Sequence, residues 1–135
     1  MPLFFEKIRK KGHVTLLLHT FVGDNLDAVR AQARQPFYNY LKSSIGLFKK
    51  LVKSQGFIVD FDHLTKEDKE YILNVAYKRY VQTSALIGTP DSCVTILHHL
   101  SAIGVGEVAC FIDFGVDQHS VLENLPYLKA LRERI

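Results

Sequence analysis

Residues 86–115, LIGTPDSCVTILHHLSAIGVGEVACFIDFG, constrain the fold more than any other stretch, because they spell a capped helix running into a strand. Thr89 can accept from the orphan N–H groups of a first turn, Pro90 fits the first helical position, and Asp91 suits the positive end of the dipole. Gly104 stands where a left-handed cap ends a helix, so the spacing predicts a helix over residues 90–103. Beyond it Val108, Cys110, Ile112 and Phe114 alternate with Glu107, Ala109, Phe111 and Asp113, which predicts a strand over 107–114 closed by Gly115. One αβ step of a parallel α/β fold follows from these residues.

The rest of the chain agrees in type. Residues 13–21 alternate with apolar groups on both sides, as a strand covered on both faces does. Asp24 or Asn25 caps a helix over about 25–35, which Pro36 breaks or kinks. Phe37, Tyr40, Leu41, Ile45, Phe48 and Val52 recur at three and four, giving a helix over 37–54 despite Gly46. A connecting segment over 57–64 leads to Thr65, which with Asp68 resembles a capping box and opens a helix over 66–85. Ser120 with Glu123 caps a last helix over 119–134, which Pro126 kinks or delays. A short helix over residues 4–11 precedes the first strand, with Phe4, Phe5 and Ile8 on one face.

At 135 residues this is one domain's worth of chain. The 47% hydrophobic share and formal charge of +3 exclude a disordered tail and argue for no special partner. Lys7, Arg9, Lys10 and Lys11 read as a solvated face, so no nucleic-acid role is assigned. Cys93 and Cys110 lack a partner at metal spacing and read as two small buried hydrophobes, which fits a reducing, cytoplasmic setting. No apolar run approaches the roughly 20 residues that span a bilayer, and no signal peptide is evident.

Three separated strings carry a resemblance: LLLHTFVGDNLDAVRAQARQPFYNYLKSS, then LIGTPDSC with HLSAIGVGEVACFIDFGVD, then VLENLPYLKALRE. In this order, from about residue 12 to 134, they resemble the C-terminal part of luciferase-like, flavin-dependent monooxygenases, most of all the branch associated with natural-product assembly lines such as nonribosomal peptide synthetases. The resemblance implies a (β/α)8 barrel, of which this chain is the last part. Its two strands would be the seventh and eighth, with a helix-rich excursion between them, in a single partial domain over 1–135. A complete barrel needs roughly 250 residues.

The resemblance also implies reduced FMN as cofactor, oxygen as co-substrate and a natural-product intermediate, carried by a carrier protein, as the molecule oxidised. A flavin reductase and the missing N-terminal barrel half would be partners, and the chain alone would be inactive. No metal is implied. The alternative is a non-catalytic association module or truncated remnant that forms a homo-oligomer through open strand edges.

In a barrel, chemistry gathers at the C-terminal ends of strands. Those ends hold His19, Thr20 and Phe21 on the first strand and Asp113, Phe114 and Gly115 on the second. His19 and Asp113 are the candidate catalytic pair, a His oriented by a carboxylate. The other reading of that pair is a structural hydrogen bond. Thr20, Phe21, Phe114 and Gly115 are the candidate cofactor contacts. The turn over 87–90 reads as a plain helix cap at the bottom of the barrel. Phe37, Tyr38, Tyr40 and Phe48 read as helix core.

Overall fold

The computed structural model describes residues 12–43, 45–56 and 63–135. The helix expected over 4–11, most of the connecting segment over 57–64 and the Phe48 side chain lie outside the described residues. The element order is β1 (Thr15–Val22), α1 (Leu26–Lys42), α2 (Ile45–Ser54), α3 (Lys66–Thr83), β2 (Leu86–Gly88), α4 (Pro90–Ala102), β3 (Glu107–Phe111) and α5 (Gln118–Arg132).

Both expected strands form, and β3 stops at Phe111, three residues early. A third, β2, was not expected. Its three residues are too few to show an alternation, and they sit directly between a helix end and a helix cap. All three are buried, as a strand covered on both faces must be. The sheet is parallel throughout, in the order β2–β1–β3. Thr20, Phe21 and Val22 align with Leu86, Ile87 and Gly88 on one side of β1, while residues 15–19 align with 107–111 on the other.

This order explains the layers. The crossover from β1 to β2 and the one from β2 back over β1 to β3 move in opposite directions, so right-handed connections put their helices on opposite faces. The two clusters of buried side chains follow suit. On one face Phe21 and Ile87 pack with Val29, Ala33 and Phe37 of α1 and Tyr77 of α3. On the other, Leu18, Val22 and Leu86 pack with Cys93 of α4 and Leu131 of α5. Helices thus cover both faces of a doubly wound sheet. In a barrel, strands neighbour one another in chain order; here the first strand takes the middle, and β2 and β3 each keep one outer edge unpaired among the described residues.

Both prolines stay inside their helices. Pro36 lies within α1 and Pro126 within α5. At Pro36 the buried residues Ala33, Phe37 and Leu41 anchor the helix on both sides of the ring, which offsets the missing hydrogen bond. The break comes instead at Ser43, whose hydroxyl donates to the Tyr40 carbonyl at 2.6 Å. The cap of α5 is Asp117 rather than Ser120. Its two carboxylate oxygens accept from the Ser120 N–H and hydroxyl, at 2.9 and 2.8 Å.

Three caps do form as the sequence predicts: Asn25 accepts from Ala28, Thr65 from Asp68 and Thr89 from Ser92. Thr89 and Ser92 bond reciprocally, with Ser92 in the position usually held by Glu. Gly104 has φ of 103° at the end of α4, where a Cβ would be strained.

α5 lies unusually. It begins at the C-terminal end of β3, and just past its own end Arg134 pairs with Asp91 in the first turn of α4, which starts at the C-terminal end of β2. It therefore crosses the strands over β1 instead of returning along β3. Among the described residues, no helix is long and apolar enough to cross a membrane.

Candidate functional site

Parallel strands direct their C-terminal ends, and the helix starts that follow them, to one side of the sheet. The caps Asn25, Thr89 and Asp117 all stand there, each at the start of the helix that follows a strand. The turn over 87–90 was read as the bottom of a barrel. Because β2 precedes it, it belongs to the same end as His19 and Asp113. It remains a helix cap, its Thr89 hydroxyl already engaged by Ser92.

At that end of the first face, His19 is enclosed by five aromatic rings. Phe37, Tyr40, Phe111, Phe114 and Tyr80 have ring centroids between 5.1 and 5.9 Å from its own, four of them edge-on. The Tyr80 hydroxyl lies 2.7 Å from His19 Nδ1. Burial lowers the His19 pKa from its ordinary value, because an imidazolium loses its hydration among aromatic rings. Burial also pushes the Tyr80 phenol up to about 12, with the neighbouring Tyr40 adding to the shift. Both groups are neutral at pH 7. In a neutral pair either the phenol donates to Nδ1 and the ring proton sits on Nε2, or Nδ1–H donates to the phenol oxygen and Nε2 is an acceptor. That Nε2 is buried without a hydrogen-bond partner among the described residues. An unpaired buried polar atom costs about 1–3 kcal/mol, so a site that keeps one is a candidate for meeting a hydrogen-bonding ligand.

The expected pairing of His19 with Asp113 does not form. β3 ends at Phe111, and Asp113 follows as an exposed residue of the loop. His19 is oriented by a phenol on α3 instead of a carboxylate. The reason is register: His19 aligns with Phe111, so a ring occupies the place beside the imidazole.

Of the other four candidate residues, Thr20, Phe21 and Phe114 are buried and Gly115 is exposed. Thr20 is buried on the opposite face, and its hydroxyl donates to the Leu18 carbonyl at 2.9 Å. Phe21 and Phe114 are buried in the first cluster. Gly115 has φ of 114° and sits where a Cβ would press on Pro36 at 3.3 Å. Beside Thr20 and Phe21 the space between β1, Ile112 and α5 is about 10 Å³, room for one water at most. Sites for small molecules run to roughly 300–1,000 Å³. This gap alone does not hold a flavin.

Sequence reasoning missed Tyr80 as the partner of His19 and Phe111 as part of the box. Tyr80 lies among the inward residues of α3, beside Tyr77 and Val81, but helical spacing says nothing about which strand residue it meets. Phe37 and Tyr38 are core as expected, and Tyr40 is partly so. Cys93 is buried as expected, its thiol pushed up to about 11 by burial, while Cys110 is exposed on the part of β3 that α5 leaves open. Among the described residues, no group of His, Cys, Asp or Glu is arranged to hold a metal ion. Compared with models of known protein families and with curated protein sequences, the chain matches none.

Proposed function

We propose that this chain is the closing part of a luciferase-like, FMN-dependent monooxygenase, and that it works only with further strands supplied from outside the described residues. The observation that carries the reading is the buried His19–Tyr80 pair, with its unpartnered Nε2 at the C-terminal end of a parallel strand. The three strings in family order support it, as do the two unpaired edges of the sheet. Parallel strands rarely stand in so small a sheet, and an open edge is a template for pairing.

On this reading the chain contributes a wall of the pocket. His19 meets the bound molecule through Nε2, Tyr80 holds the imidazole at Nδ1, and the rings of Phe37, Tyr40 and Tyr80, which do not belong to β3, exclude water. The flavin, once bound, supplies the oxygen chemistry. Joining a barrel also requires β3 to leave β1 and pair on the free edge of β2, so that the three strands stand in chain order. A natural-product intermediate on a carrier protein is the substrate the resemblance implies, and a cytoplasmic reductase the source of reduced FMN.

The test is flavin fluorescence titrated with the chain alone and with the chain co-expressed with the segment encoded directly upstream. Quenching only in the second case supports the proposal. No barrel-like segment upstream, together with no quenching, overturns it.

A second reading, a non-catalytic association module, is favoured by the exposed apolar side chains of Leu17, Leu122 and Ile135. It predicts a homo-oligomer that never binds flavin.

A further inference from the structure

Because α5 lies across the strands, the face of β3 below it has no helix on it. A groove of about 780 Å³ remains there, between the later turns of α4, the later turns of α5 and β3. Its lining is mainly apolar: Leu97 and Leu100 of α4, Val108 and Cys110 of β3, and Leu128 and Leu131 of α5. The volume is in the range of small-molecule sites, and the groove is a different place from the His19 box.

Its polar residues are distributed unevenly. Lys129 and Arg132 stand one turn apart on the α5 wall, and no carboxylate among the described residues pairs with either. Arg134 is taken up by Asp91. The one acid in the lining, Glu107, is at the start of β3, where it accepts from Thr15 at 2.9 Å and lies 3.9 Å from His13. His98 and Ser101 complete the polar rim on α4. An occupant that suits this arrangement has an apolar body for the floor and one anionic end for the α5 wall.

We propose that the groove binds a single-chain anionic amphiphile, such as an alkyl carboxylate, with its chain along Leu97, Leu100, Val108 and Leu128 and its head between Lys129 and Arg132. The inference is independent of the flavin reading. The charge of Lys129 and Arg132 selects the head, and burial of methylenes supplies the affinity, rising about fourfold for each one added.

Cys110 reports on occupancy, since it is exposed in the groove while Cys93 is buried and serves as a silent control. The experiment follows alkylation of Cys110 by iodoacetamide in the full chain, with dodecanoate, decanoate or dodecyltrimethylammonium below their micelle concentrations. Dodecanoate is expected to slow the reaction at least fivefold. Decanoate should need roughly fifteenfold more for half-protection, and the cationic amphiphile should leave the rate unchanged. Lys129→Glu with Arg132→Glu should abolish protection by dodecanoate, and the milder pair Lys129→Gln with Arg132→Gln should weaken it in a protein of unchanged circular dichroism. Equal protection by both head groups, no protection by dodecanoate, or protection unaffected by the double variants overturns the proposal. So does a rate that falls with protein concentration in the absence of amphiphile, which would assign the groove to a second copy of the chain.

Discussion

Phe37→Ala tests the packing that holds His19 in place. Phe37 is 1% exposed, its ring stacks on Tyr80 at 5.0 Å, and it meets His19 edge-on at 5.1 Å and Phe114 at 6.3 Å. Truncating a fully buried Phe costs about 3–5 kcal/mol, the removed transfer term plus the cavity left behind. Aromatic pairs contribute roughly 0.5–1.5 kcal/mol beyond area burial, and three such contacts go together, so the upper part of that range applies. About 4 kcal/mol is a large fraction of the roughly 5–15 kcal/mol available to a domain. With a urea slope of about 2 kcal/mol/M, the unfolding midpoint should fall by roughly 2 M. Phe37→Leu keeps a branched apolar side chain and should cost about half as much. Urea titration followed by tyrosine fluorescence and by far-UV circular dichroism measures both. A loss below about 1 kcal/mol for Phe37→Ala would mean that the ring is not clamped between α3 and the sheet, and the box around His19 would lose its support.

Two further outcomes follow from local geometry. A Cβ at Gly88 would run into the Ser92 hydroxyl and press on Leu26 at 3.1 Å, so Gly88→Ala should destabilise by about 1–3 kcal/mol, and Gly88→Ala in a Ser92→Ala background by clearly less, as thermal melts would register. His19 is held neutral by burial, its pKa below the ordinary 6.5, so above that pH both folded and unfolded states are neutral and no stability difference arises. As pH falls below 6.5 the unfolded chain takes up a proton that the folded chain refuses, and stability drops until the folded-state pKa is passed. The slope is at most about 1.4 kcal/mol per pH unit and is reduced by partial solvent screening. Urea midpoints of the wild type and His19→Phe between pH 7.5 and 4.5 measure it: the wild type should lose more, and parallel curves would contradict a buried neutral imidazole.

What the sequence made legible was local. Thr65 and Thr89 announced their helices because a cap needs only one side chain and the N–H three residues on. The alternation in β1 and β3 announced strands because the side-chain period is two. The chain does not announce which elements meet. β2 was invisible, since three buried residues show no period, and without it neither the β2–β1–β3 order nor the two-faced layering could be derived. The same gap misdirected the site. His19 does stand near a strand end, yet its partner is Tyr80, sixty-one residues along the chain, and nothing local to either residue encodes that contact. The prolines misled for a related reason: their local cost was legible, but the tertiary anchoring by Ala33, Phe37 and Leu41 that overrides it was not.

β3 pairs with β1 in this chain, and the proposed function requires it to exchange to β2 in a flavin-binding barrel. Leu17 and Ala109 are register partners across β1 and β3, so Leu17→Cys with Ala109→Cys in a Cys110→Ser background brings two thiols side by side. A short bifunctional thiol reagent should cross-link them efficiently in the chain alone and fail to do so in the assembly that binds flavin. Efficient cross-linking that persists in a flavin-binding assembly would contradict the barrel, and no cross-link in the chain alone would contradict the strand order on which the account is built.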